Sequence, residues 1–221
     1  DLSSSGYVNF APPSQSGSGD SKEAVRSRTQ FLESGGYAKV CEEIVETVNK
    51  YCCGGLVVDA GCGEGYYTNS IAKNYSGNVV GFDLSKFACA AGAKQAKRDG
   101  QSNLMFATAS VFEPPVADGV ADAVTNIFAP CAEDEYKRVL RDGGYLFVVG
   151  AGKEHLMGLK KAIYDDVYEN GQRADLPQNM EHLECLSAHY SVNVVGKDKI
   201  AALFSMTPYY WRTSESDKEK L

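Results

Sequence analysis

The sequence predicts a doubly wound α/β domain built on a mostly parallel sheet, and three observations predict it. Apolar runs of strand length, "GLVVDAG", "GNVVGFDLS", "NLMFATAS", "GVADAVTNIF" and "YLFVVGAG", recur between residues 55 and 152. Helical stretches separate most of them, and strand–helix alternation implies parallel strands with helices on both faces of the sheet. A glycine-rich turn follows the first run, at the strand-to-helix junction where sheets of this kind bind ligands.

Taken in order, residues 11–21, "APPSQSGSGDS", read as a mobile loop rich in Pro, Gly and Ser. Asp20 or Ser21 can N-cap a helix through about Leu32, with Glu23 placed for a capping box if the cap is Asp20. "SGG" at 34–36 ends it, and a second helix runs from Tyr37 to Lys50 with Val40, Ile44, Val45 and Val48 at helical spacing. "YYTNSIAKNY" and the alanine-rich "FACAAGAKQAKRDG" are the next helices, each between two strands. A helix over 131–144, "CAEDEYKRVLRDGG", has Glu133, Asp134 and Glu135 in its first turn and Lys137, Arg138 and Arg141 near its end. That charge order suits the helix dipole, and Gly143-Gly144 is its stop signal. Beyond 153 the spacing predicts a helix in "HLMGLKKAIYDDVYE", a polar loop, and in "DKIAALFSMTPYYWR" a helix leading into a final strand.

At 221 residues, 43% of them hydrophobic, the chain can bury a sizeable core. It has no apolar run of about 18 residues, so no membrane span is expected. "DLSSSGYVNF" at the start lacks the regions of a secretory signal. The seven cysteines are scattered and form no Cys-x-x-Cys pair, and with three scattered histidines they suggest no metal site. Reduced thiols in a cytoplasmic protein are the expectation. The formal net charge of −7 speaks against a polyanionic partner, since Lys and Arg drive phosphate binding. Net charge nevertheless averages over a surface and can hide a local basic face.

The turn "VVDAGCGEGYYT", residues 57–68, carries Gly61, Gly63 and Gly65, which allow tight turning and close approach of a ligand to the main chain. Dinucleotide enzymes use a similar loop, so the glycines alone do not choose a ligand. Asp59, at the strand end, sets a carboxylate beside the crevice, where it would repel a pyrophosphate and welcome an ammonium group. Asp83, 18 residues after Gly65, ends the next strand, where an acidic residue takes both hydroxyls of a ribose. An ammonium site and a ribose site together describe S-adenosylmethionine better than NAD. The expected fold is therefore the Rossmann-like class I methyltransferase type, with Leu84 and Ser110 in the same cofactor set. Ser110 stands at the adenine edge, where many such enzymes carry an acidic residue.

Five segments go beyond the general fold: "GYVNF" at 6–10, "CGEGYYT" at 62–68, "IFAPC" at 127–131, "HLMGLKKAIY" at 155–164 and "MTPYYWR" at 206–212. Together, over essentially the whole chain, they resemble the bacterial 23S ribosomal RNA guanine-N1 methyltransferases. The resemblance implies methylation of N1 of a guanine in a hairpin loop of 23S rRNA, with S-adenosylmethionine as donor. It adds Tyr37, Tyr67, Thr68 and His155 as cofactor neighbours. Family members carry an N-terminal zinc module just ahead of "GYVN". Zinc, and much RNA-binding charge, are therefore expected only in a module that this chain lacks. On this reading residues 1–36 are the N-terminal segment following that module, and 37–221 the methyltransferase domain with substrate-side elements in 153–212. "SQSGSGDS" stands where some relatives are more basic, and a homodimer is left open.

Guanine N1 carries a proton at neutral pH that must leave during methylation. Glu64, Glu133, Asp134 and His155 are base candidates by location, and none is singled out by spacing. Phe128, with Pro130 beside it, is the first candidate for positioning the base, because aromatic rings stack on unpaired bases. Tyr209, Tyr210 and Trp211 are weaker candidates, and core packing is the expectation for at least one of them. Cys131 follows Pro130, but a thiolate nucleophile serves C5 of a pyrimidine and a ring nitrogen needs none, so packing is its expected role. The rival readings are a small-molecule methyltransferase of the same fold and a non-catalytic cofactor-binding module.

Overall fold

The computed structural model describes residues 2–12, 14, 19–167, 169–170, 177, 180–207, 209–210, 213–218 and 220. The chain forms two units: Asp1–Val25 with Tyr37–Val149, and Arg26–Gly36 with Gly150–Leu221. The first holds β1 (Tyr7–Asn9), α2 (Ala38–Tyr51), β2 (Leu56–Ala60), α3 (Tyr66–Asn74), β3 (Asn78–Asp83), α4 (Lys86–Arg98), β4 (Leu104–Thr108), β5 (Ala121–Ile127), α5 (Glu133–Val139) and β6 (Leu140–Val149). Helix α1 (Lys22–Glu33) belongs partly to each unit, and α6 (Met157–Ile163), α7 (Lys197–Ser205) and α8 (Glu215–Lys218) to the second.

The six strands run in the order β1-β4-β3-β2-β5-β6, with every pairing between them parallel. From β2 the chain winds outward through β3 to β4, then returns to β5 on the other side of β2. The order thus reverses between β2 and β5, and the carboxyl ends of those strands form the crevice where this topology binds ligands. Right-handed crossovers put helices on opposite sheet faces as the winding direction changes. Val57, Val79, Ala123 and Ile127 share one face and pack on Ile44 and Val48 of α2 and on Ile71 and Ala72 of α3. Each fully buried Val or Ile contributes roughly 1.5–3 kcal/mol. Helix α4 sits close against β4 because Gly92 has no Cβ, which would come 2.7 Å from the Phe106 ring.

Five local expectations change. Ser21 is the cap of α1, its Oγ accepting from Ala24 N at 3.2 Å, so the Asp20 capping-box arrangement does not arise. Strand β1 was not expected: three residues are too few to show alternation, and they pair where β4 offers an open edge, with the Thr108 hydroxyl on Asn9 Oδ1. Helix α5 stops at Val139 rather than at the glycines, because Leu140 is buried and pairs with Ala121. Gly143, at φ +70°, and Gly144 then serve the irregularity before Tyr145 pairs with Ala123, and Arg141 leaves the helix to bind Asp122 at 2.8 Å. Helix α6 covers only the middle of its predicted stretch. The predicted final strand is absent among the described residues, where Thr207 and Tyr210 make turn hydrogen bonds. Pro208, Trp211 and Arg212 lie outside the described residues.

Candidate cofactor and acceptor site

At the end of β2, Gly61, Gly63 and Gly65 take φ of +80°, +54° and +77°, left-handed values that favour glycine at all three positions. The loop they form is anchored from below, with Gly61 N and Cys62 N donating to Phe82 O at 2.9 and 3.0 Å. Gly65 caps α3, so the main-chain N–H groups of a helix N-terminus face the end of the loop. Gly63 N donates to Asp83 Oδ2 at 3.1 Å, and Ser85 N to Asp83 Oδ1 at 2.8 Å. Two main-chain donors therefore hold the half-buried Asp83 carboxylate at the mouth of the glycine loop.

Asp59 sits beneath this loop rather than in its mouth. It is 1% exposed and accepts one hydroxyl on each oxygen, from Thr68 at 2.6 Å and Thr125 at 2.7 Å. Burial lifts its pKa from the usual 3.8 to about 6, against the two hydroxyl bonds that favour its charge. The two hydroxyl bonds tie β2, α3 and β5 together through Asp59. Thr68 is wholly buried and its hydroxyl is spent on that tie. Tyr67 packs against the core of α2 and α3. Ser110 uses its hydroxyl to accept from Phe112 N at 3.2 Å, turning the chain after β4, and Leu84, next to Asp83, is half-buried.

The turn after β5 adjoins the glycine loop. A Cβ on Gly61 would lie 2.6 Å from Ala129 Cβ, so the two loops touch at a glycine and an alanine. Phe128 holds φ +53°, and among the described residues only Leu156 shares a left-handed conformation without being glycine. A strained residue of this kind costs on the order of 1–3 kcal/mol and gathers at functional sites. Phe128 N donates to Val149 O at 2.9 Å, and its ring, 43% exposed, meets the buried Tyr37 ring edge-to-face at 5.9 Å. Asn126 Nδ2 and the Tyr136 hydroxyl both donate to Pro130 O, at 2.9 and 3.0 Å.

The first unit thus brings together Tyr37, Asp59, Gly61, Gly63, Tyr67, Thr68, Asp83, Leu84, Ser110, Phe128 and Pro130. His155 lies in the second unit, where burial and then Lys160 lower its pKa. Tyr209 belongs to that unit's core with Ile163 and Phe204, its hydroxyl on Asn170 Oδ1 at 2.5 Å. Tyr210 packs edge-on to Phe204 at 5.5 Å. Of the base candidates, Glu133 pairs with Lys137 at 2.5 Å, Glu64 is buried and Asp134 is exposed. Burial pushes the Cys62 thiol well up, which makes it inert packing in the loop. Sequence reasoning missed Thr125, Asn126 and Tyr136. The first two lie at the end of the predicted strand "GVADAVTNIF", just before Phe128, whereas Tyr136 gives no signal apart from helical spacing.

Left-handed glycines, a helix N-terminus and a held carboxylate fit a nucleoside with a charged tail, as S-adenosylmethionine is. Residues 57–144 match a methyltransferase domain model. YxjB of Bacillus subtilis (strain 168), named for 23S rRNA (guanine-N1)-methyltransferase activity, is 30% identical over 96% of this chain and 77% of its own. The 23S rRNA (guanine(748)-N1)-methyltransferase of Streptomyces fradiae is 31% identical over 74% of this chain and 58% of its own. A Methanococcus maripaludis protein described as an S-adenosylmethionine-dependent methyltransferase shares the fold, with a TM-score of 0.53 at 20% identity over 63% of this chain and 70% of its own. The chain is an S-adenosylmethionine-dependent methyltransferase and belongs to the family of 23S rRNA (guanine-N1)-methyltransferases.

Proposed function

We propose that the enzyme methylates N1 of a guanine in a hairpin loop of 23S rRNA. The observation that carries the reading is Phe128: an exposed ring in a strained turn that touches the cofactor loop through Ala129. A guanine that is unpaired or flipped out of its stack can lie on such a ring, a contact worth about 1–3 kcal/mol. The names of the relatives support rRNA as the acceptor.

Bound S-adenosylmethionine supplies the electrophilic methyl group. In this proposal Asp83, Leu84 and Ser110 hold the adenosine, and Gly61, Gly63 and the start of α3 take the charged tail. Asp59, Thr68 and Tyr67 shape that loop from beneath, and Tyr37 backs the Phe128 ring. Pro130 fixes the acceptor turn, and a general base, worth about 10²- to 10⁴-fold, takes the N1 proton. A cytoplasmic setting completes the proposal.

The test is methyl transfer to protein-free 23S rRNA mapped by primer extension. A stop at one guanine is the expected result, and no transfer to rRNA by enzyme that binds S-adenosylmethionine refutes it. A small-molecule acceptor is the second reading, favoured by the net charge of −7. It calls for methyl transfer to a metabolite extract and none to rRNA.

A further inference from the structure

The acceptor turn contains a hydrogen-bonded triangle that neither the fold nor the cofactor loop requires. Asn126 closes β5 with its side chain wholly buried, and Tyr136, one turn into α5, is 1% exposed. Asn126 Nδ2 donates to Pro130 O at 2.9 Å and to the Tyr136 hydroxyl oxygen at 2.9 Å, and that hydroxyl donates to Pro130 O at 3.0 Å. A carbonyl has two lone pairs, and here two donors take both. The Pro130 oxygen is therefore withdrawn from any contact with an acceptor proton and used instead as a handle on the turn.

What the handle controls lies two residues back. Phe128 stays at φ +53° only while its surroundings over-determine it. One side is set by Phe128 N on Val149 O, and another by Ala129 against Gly61. The Pro130 clamp sets the remaining end of the three-residue turn. Neither Tyr136 nor Asn126 is exposed enough to touch an RNA, so any effect of theirs on the acceptor passes through the turn.

We propose that Tyr136 and Asn126 are positioning residues for the acceptor base, acting through the Pro130 carbonyl to fix the direction of the Phe128 ring. The inference rests on the reading of Phe128 as a base platform. It is tested by a double-mutant cycle on methyl transfer to 23S rRNA, with S-adenosylhomocysteine affinity measured by calorimetry on the same proteins. Tyr136→Phe removes one hydroxyl and keeps the ring. Its expected effect is a fall of about tenfold in kcat/KM for rRNA, since small misplacements of a reacting group are costly. Cofactor-product affinity stays within about twofold. In a Phe128→Ala background the same change has almost no effect, because coupled residues are non-additive. Equal losses in both backgrounds, or no loss with Phe128 present, overturn the proposal while leaving the rRNA reading intact. Absence of transfer by the unmodified enzyme overturns both. Should Tyr136→Phe not fold, Asn126→Ser removes the other arm of the clamp and must show the same dependence on Phe128.

Discussion

At Asp59, burial and hydrogen bonding pull in opposite directions, and burial wins. The folded protein holds the Asp59 proton up to about pH 6, whereas an unfolded carboxylate releases it near 3.8. This group therefore favours the fold most below pH 3.8, and that contribution is lost as pH rises through about 6. Asp59→Asn removes the dependence. The stability difference between Asp59→Asn and the unmodified protein, from urea unfolding, should shift in favour of Asp59→Asn by roughly 2 kcal/mol between pH 4 and pH 6.5. A constant difference across that range contradicts the assignment. Phe128→Ala should lower kcat/KM for rRNA by about 5- to 150-fold, the equivalent of one lost base stack. Cys131→Ala should keep most activity. An adduct trapped between Cys131 and RNA would reverse the second expectation, and unchanged kcat/KM in Phe128→Ala the first.

Where elements meet, the glycine loop and the acceptor turn are pressed together at one point. Gly61→Ala and Gly100→Ala both place a methyl group on a left-handed residue, at φ +80° and +67°. Each pays about 1–2 kcal/mol of backbone strain. Only Gly61 faces a neighbour, Ala129, so only Gly61→Ala should also weaken S-adenosylhomocysteine binding, by tenfold or so in calorimetry. Equal affinities for the two variants would show that the loops do not share the site. The half-exposed Arg141–Asp122 and Arg138–Asp118 pairs are screened by solvent and should add little to stability. The elements that the sequence showed best are those whose apolar runs are long and buried, β2 through β5 and α2 through α4. Strand β1 was invisible because pairing with an open edge needs no alternating pattern of its own. The end of α5 was misread because glycines that usually stop a helix here serve a bulge after Leu140 has already joined the sheet.

For the molecule as a whole, the parallel sheet and the place of its crevice followed from strand–helix alternation. The cofactor side followed from glycine spacing and two aspartates. Their division of labour did not, because burial decides it: Asp83 is held at the loop mouth and Asp59 is sealed under it. Phe128 stood out in the sequence, but Tyr136 and Thr125 act through hydrogen bonds across elements, which spacing cannot show. Whether the site serves a guanine of 23S rRNA is decided by incubating protein-free 23S rRNA with the enzyme and S-adenosylmethionine and mapping stops by primer extension. One enzyme-dependent stop at a hairpin-loop guanine, lost in Phe128→Ala, is the expected result. No stop in rRNA, under conditions where calorimetry shows the cofactor bound, would contradict it.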